Sequence, residues 1–257
     1  MFGICAFNLV AIRAHDSDKS EMVTQLLFGD TYSVLAENEK WIQIEISDDC
    51  YRGWMDKKLH YPITETFFEK TRQIENHFCA EVVGYLEVGS VTQPIFFGSY
   101  LPLFDGNYVY LDNKRFLFKG KTNKVKKAMS SKDILHTALS FTGSPYLWGG
   151  KSHAGIDCSG FTQMVFRSCG YTLMRDAYQQ VSMGTHVEKI EEAKSGDLAF
   201  FSNDIGRITH VGILASNHEI IHAHGKVRID KINSIGIING ESGLYSHKLN
   251  GIRRIMG

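Results

Sequence analysis

The hydrophobic period changes near Lys132, and that change bounds what these 257 residues can fold into. Between Val10 and about Phe118, apolar residues alternate in short runs broken by Gly, Asp and Asn. The stretches Lys40 to Ile46 and Asn107 to Leu111 show the period of two expected for half-buried strands. Beyond Lys132 the period lengthens. Ile134, Leu135, Ala138, Leu139 and Thr142 fall on one helical face, with Ser131 as N-cap and Gly143 just past the end. Cys158 to Cys169 predicts a second helix stopped by Gly170, and Asp176 to Met183 a third closed by Gly184. A period of two then returns in Asp197 to Phe201, Thr209 to Leu214 and Glu219 to Ala223. Helices followed by an antiparallel sheet predict an α+β domain.

Within the strand-rich half, Gln25-Leu26-Leu27-Phe28-Gly29-Asp30 resembles Gln93-Pro94-Ile95-Phe96-Phe97-Gly98-Ser99. Two small β-barrels of about 60 residues each account for such a repeat. The reading is therefore multi-domain: barrels over residues 1–62 and 63–118, a linker over 119–131, and an α+β domain over 132–257. The linker is rich in lysine with no interleaved aromatic residues, the pattern of a solvated segment rather than a nucleic-acid surface.

Composition removes several function classes. Lys plus Arg equals Asp plus Glu at 28 each, so neither nucleic acid nor an anionic membrane is an expected partner. No run approaches the roughly 20 apolar residues of a membrane span. The start Met1 to Val10 lacks a basic leader and runs into strand-like sequence. A cytoplasmic protein is expected, or an exported one if a leader was removed before Met1. The five cysteines (5, 50, 79, 158 and 169) include no CxxC and fit no zinc framework. With eleven histidines scattered along the chain, no metal site and no cofactor are expected.

Nucleophilic chemistry points to Cys158. It follows the turn-rich Gly149-Gly150-Lys151-Ser152-His153-Ala154-Gly155-Ile156 and opens an apolar helix, where N–H groups and the helix dipole favour a thiolate. A thiol pKa well below the ordinary value, and selective alkylation near pH 6, are expected from that position. Cys169 ends the same helix, and the other three cysteines lie in the strand-rich half. For the base, His210 precedes Gly212, which leaves space two residues on along the same face. His222 and His224 share a face of the next strand. Whether that is the face of His210 depends on an odd or even loop around Asn217-His218, and periodicity leaves this open.

Five motifs occur in order: Tyr146-Leu147-Trp148-Gly149-Gly150, Asp157-Cys158-Ser159-Gly160-Phe161, Ser195-Gly196-Asp197-Leu198-Ala199-Phe200-Phe201, His210-Val211-Gly212-Ile213 and Ile221-His222-Ala223. Together they resemble the NlpC family of cell-wall cysteine peptidases, with a papain-like fold, over about Ser131 to Arg254. The one departure is Ser195, where the family usually has Pro. The resemblance implies Cys158 as nucleophile, His210 as base and His222 as the residue orienting it, and leaves His224 an ordinary strand histidine. The first half resembles bacterial SH3-like domains. The combination is similar to murein-peptide recycling enzymes that cleave after γ-D-Glu in L-Ala-γ-D-Glu-L-Lys or its diaminopimelate equivalent. A free L-Ala amine then calls for a carboxylate. Asp157 is expected to supply it, with Ser159 and Tyr146 nearby and Glu21 and Tyr51 from the first SH3-like domain. An amidase or acyltransferase on the same Cys and His, or a wall-binding protein with an inactive hydrolase domain, are the alternatives.

Overall fold

The computed structural model describes residues 1–73, 77–124 and 129–256. It separates into two compact units, Met1–Val125 with Lys151–His153, and Lys126–Gly150 with Ala154–Gly257. The chain is mostly β with few helices.

In the first unit a seven-stranded antiparallel sheet runs, edge to edge, through Met22–Leu27, Leu9–Arg13, Arg52–Asp56, Trp41–Ile46, Thr31–Glu37, Phe2–Ile4 and Pro62–Ile63. The Trp41–Ile46 strand shows why the alternation was readable: Ile42, Ile44 and Ile46 are buried while Trp41, Gln43 and Glu45 are half-buried. A four-stranded sheet (Val91–Phe96, Val83–Val88, Lys114–Lys119, Tyr108–Leu111) and a three-stranded one (Tyr100–Leu101, His77–Cys79, Thr122–Lys124) follow.

The repeat seen in sequence has a matching backbone. Gly29 and Gly98 both adopt positive φ, +84° and +79°, a region that a residue without Cβ enters at little cost. Gly29 N–H donates to the Cys5 carbonyl while Cys5 N–H donates to Asp30. In the second copy Gly98 N–H donates to Cys79 while Cys79 N–H donates to Ser99. The backbone of each of these two buried cysteines thus anchors one copy.

Three features of this unit were not part of the expectations. Residues Glu65–Gln73 form a helix, which the strand-like texture did not reveal; Phe67 and Phe68 are its buried face. They pack in one core with Ile4, Phe28, Leu86, Ile95 and Val109, so residues before and after position 62 share a core and cluster as one unit. The segment expected as linker contains the strand Thr122–Lys124, paired with His77–Cys79. Residues 125–128 of it lie outside the described residues.

In the second unit the helix Ser131–Ser140 begins one residue earlier than expected, because Ser130 is the N-cap: its hydroxyl accepts from Asp133 N–H and the Asp133 carboxylate accepts from Ser130 N–H. The helix Cys158–Ser168 is buried along its whole length. The third expected helix is a single turn, Ala177–Gln180. A seven-stranded antiparallel sheet runs through Thr185–Val187, Tyr245–Arg254, Leu198–Ser202, Ile208–Leu214, Glu219–His224, Lys226–Ile232 and Gly236–Ile238. Its last strand pairs back onto Tyr245–Arg254, so the sheet closes on itself and brings residues far apart in sequence to one place.

Candidate active site

Cys158 is the first residue of its helix, and the residue before it holds that helix end in place. Asp157 is the N-cap: its carboxylate accepts from Gly160 N–H at 2.6 Å and from Gly149 N–H at 2.8 Å. Such a cap stabilises a helix by about 1 kcal/mol. Arg175 closes a two-point ion pair on the same carboxylate, at 2.6 and 3.1 Å, and donates to Ser159 Oγ at 2.9 Å. Arg175 and Asp157 are both buried, so removing either leaves an uncompensated charge, a loss of about 3–5 kcal/mol. The expected partner of a substrate ammonium is thus a carboxylate already neutralised within the protein. Gly160 has no room for a side chain, since a Cβ there meets the Gly150 carbonyl.

His210, the expected base, is placed by strand register. His222 pairs with Gly212, Ile221 with Ile213 and Ile220 with Leu214. Five residues, 215–219, therefore lie between the last pair, an odd loop that puts His222 on the face of His210. Gly212 is part of the same arrangement, because a Cβ there would lie 2.8 Å from the His222 Cβ. The result is a hydrogen bond between His210 Nε2 and His222 Nδ1 of 2.8 Å. His210 leads directly to Val211, and the backbone N–H groups of Val211 and Ser159 favour the Cys158 thiolate, which places the thiol near that strand.

Behind His222 stands a group the sequence reading missed. His222 Nε2 lies 3.0 Å from Asp230 Oδ2. Asp230 in turn accepts from Arg228 Nη2 at 3.0 Å and from Gly240 N–H at 2.9 Å, and Arg228 Nε lies 2.9 Å from Oδ2. Asp230 occupies an alternating strand like any other acidic residue, and only the hairpin register places it opposite Ile220, next to His222. The histidines, read as scattered, are in fact gathered: the His247 ring stacks on His210 at 4.2 Å, and one ring nitrogen from each of His210, His222 and His247 lies within 4.8 Å of the others. His224, exposed, stacks on His222 at 6.2 Å.

Burial decides the protonation states. It pushes the Cys158 thiol up to about 12, reinforced by the Asp157 charge and opposed by the Val211 N–H, Arg175 and the Ser159 N–H. His210 is pushed well below its ordinary value by burial and by His247, His222 and His224, and His222 and His247 fall to about 4, burial being the largest cause for each. For Asp230 burial pulls the other way, but the hydrogen bonds from His222, Gly240 and Arg228 hold it below the ordinary carboxylate value. The resting pair is therefore neutral thiol and neutral imidazole, the reverse of the thiolate expected from the helix N-terminus. Loss of water around a thiol outweighs one helix end. Iodoacetamide at pH 6 will accordingly label Cys50, the exposed cysteine, before Cys158, and labelling of Cys158 will keep rising as the pH is raised past 9. A Cys158 alkylation rate already saturated at pH 6, followed by peptide mass spectrometry, contradicts the neutral resting state.

The remaining expected site residues divide between the units. Tyr146 is half-buried; burial, then Cys158, then Asp157 raise its hydroxyl, which puts it beside the nucleophile. Ser159 Oγ also hydrogen-bonds to Asp157 at 3.3 Å. Glu21 and Tyr51 belong to the first unit, where Glu21 is exposed and Tyr51 packs against the core of its large sheet.

Comparison with known proteins gives concordant results. Residues 143–239 match the NlpC/P60 family, and residues 12–58 match the bacterial dipeptidyl-peptidase Sh3 domain. Similar curated proteins include the gamma-D-glutamyl-L-lysine dipeptidyl-peptidase of Bacillus subtilis (strain 168), 30% identical over 90% of this chain and 80% of the relative. The protein of the same name from Bacillus cereus is 28% identical over 88% of this chain and 75% of its own. Among solved structures, an NlpC/P60 family protein from Bacillus cereus superposes with a TM-score of 0.84 over the full length of both chains at 20% identity, a likeness of fold.

Proposed function

The chain belongs to the NlpC/P60 family of cysteine peptidases, and on that premise we propose that it cleaves the γ-D-glutamyl-L-diamino acid bond of murein peptides that begin with a free L-Ala. The observation that carries the reading is the buried hydrogen-bonded series from His210 through His222 to Asp230, with the Val211 N–H, next in the chain to His210, favouring the Cys158 thiolate. Cys158 Sγ attacks the γ-carbonyl as His210 takes the thiol proton. The oxyanion meets the Cys158 backbone N–H and the Tyr146 hydroxyl. His210 returns the proton to the leaving amine, and water then hydrolyses the thioester.

The same reading gives the second unit a papain-like arrangement, nucleophile helix against base-bearing sheet, and the first unit two SH3-like barrels, supported by the matched hydrogen bonds at Gly29 and Gly98. A recycling role inside the cell fits five free thiols, which suit a reducing compartment. Amine recognition falls to a group other than Asp157, whose carboxylate is already filled by Arg175, Gly149 and Gly160, with the Tyr146 hydroxyl beside Cys158 as a polar group at the site. Mass spectrometry of L-Ala-γ-D-Glu-L-Lys incubated with the protein tests the reading. Release of free lysine and the dipeptide is expected; transfer products or deamidation alone refute a peptidase. N-acetylating the substrate is expected to lower kcat/KM about 10–100-fold, the worth of a hydrogen bond to a charged group. Equal cleavage of acetylated and free peptide removes the amine from the specificity.

A further inference from the structure

We propose that His210, His222 and His247 form a binding site for a divalent transition metal, Zn²⁺ in particular, and that its occupation switches the enzyme off. The three side chains come from three strands of one closed sheet, and one nitrogen of each lies within 4.8 Å of the others. In a tetrahedral site with bonds of 2.0–2.1 Å, ligand nitrogens stand about 3.3 Å apart, so side-chain rotations of about an ångström close the trio. His210 and His222 start closer than that, at 2.8 Å, and need only part. Three imidazoles suit zinc, copper and nickel and are poor ligands for magnesium or calcium. His247 is half-buried at the mouth of the cluster, which leaves water for the fourth position. His224, 4.9 Å from the His247 ring, adds a second polar group at the entrance.

The two nitrogens the metal takes, His210 Nε2 and His222 Nδ1, are the two that share the orienting hydrogen bond. Binding and orientation are therefore mutually exclusive. When Zn²⁺ bonds to His210 Nε2, the proton there moves to Nδ1, so one N–H bond breaks, another forms, and the ring stays neutral. That proton now sits on the nitrogen that must receive the one from the thiol. The base is blocked without any change at Cys158. His247 has no hydrogen bond to His210 or His222 among the described residues; it stacks on His210 and makes its side-chain hydrogen bond to Ser246 at 2.9 Å. Its place in the cluster is explained by metal and not by the relay.

The inhibition half of this proposal rests on the peptidase reading, whereas the binding half does not, and the experiment separates them. Zn²⁺ is titrated calorimetrically into Cys158→Ala, which has no thiol at the site, and into Cys158→Ala with His247→Phe, which keeps an aromatic ring against His210. One ion per chain is expected in the first, with affinity lowered about 10–100-fold or more in the second, since losing a ligand costs at least as much as losing a supporting group. No binding to Cys158→Ala, or equal binding to both, overturns the site. In turnover assays with otherwise native protein, Zn²⁺ is expected to inhibit reversibly, with EDTA restoring the rate. With inhibition measured relative to each protein's own metal-free rate, His247→Phe is expected to require at least about tenfold more Zn²⁺ for the same fractional loss. Equal inhibition of both places the ion on the thiol and overturns the switch. Absence of turnover in every protein, with the calorimetric difference intact, counts against the peptidase reading alone.

Discussion

Cys158→Ala is expected to lower hydrolysis of the proposed substrate L-Ala-γ-D-Glu-L-Lys by about 10⁵–10⁶-fold, and His210→Ala nearly as much, while combining them is expected to add almost nothing. Nucleophile and base act as a unit, so either deletion forfeits the whole covalent route. What survives is whatever the oxyanion donors and substrate binding contribute alone. The effect separates cleanly from folding because the helix end is fixed by Asp157, Gly149 and Arg175 rather than by the thiol. Losing one buried sulfur atom shifts stability by about 1 kcal/mol. Thermal melts of Cys158→Ala should overlay the wild type closely, and single-turnover assays with the same preparations give the rates. Residual activity above about 1% in Cys158→Ala would place the nucleophile elsewhere, and strictly multiplicative losses in the double variant would show that the two residues do not share a step.

The parts of the site that sequence revealed are those determined within a few residues. An Asp before a Cys at the start of an apolar run is a local capping signal, and the structure places Cys158 where that signal puts it. Gly212 two residues after His210 is likewise local, and its reason is local too: His222 fills the space above it. His222 itself was half legible, since its strand was plain but its face depended on one loop residue more or fewer. Asp230, Arg228 and His247 were not legible, because the hairpin register places Asp230 and Arg228 beside His222, the pairing of Tyr245–Arg254 with Leu198–Ser202 and Gly236–Ile238 places His247, and no period records a pairing. Arg175 was missed for a similar reason: its partner Asp157 is eighteen residues earlier. The direction of the thiol shift failed differently. A helix dipole can be read from a sequence, but the burial that outweighs it belongs to the finished fold.

Asp230→Asn is the sharper test, because it changes almost no atoms and is expected to lower kcat/KM by about 10³–10⁴-fold. An ionised carboxylate only accepts hydrogen bonds, so His222 must present its proton at Nε2. Its Nδ1 then accepts, His210 donates from Nε2, and the His210 lone pair is left at Nδ1 for the thiol proton. One acid residue thus sets the tautomer of two rings. In the variant, Arg228 Nη2 and Gly240 N–H still need an acceptor at the Oδ1 position, which turns the new amide NH₂ toward His222. His222 Nε2 becomes the acceptor, both hydrogen bonds reverse, and the His210 proton moves to Nδ1, where no base remains. The corresponding substitution in a serine peptidase triad costs about 10⁴ by the same reversal. Replacing the charge also weakens the hold on Arg228, which keeps Glu241 as a partner at 3.0 Å, so the variant is expected to fold with reduced stability. Nitrogen-15 spectra of the imidazoles separate the two effects: the reversal moves the protonated nitrogen of His210 from Nε2 to Nδ1, and mere loosening of the sheet does not. Activity within tenfold of the wild type, or unchanged tautomers beside a lost rate, would show that His222 alone orients the base and that Asp230 only fills the strand.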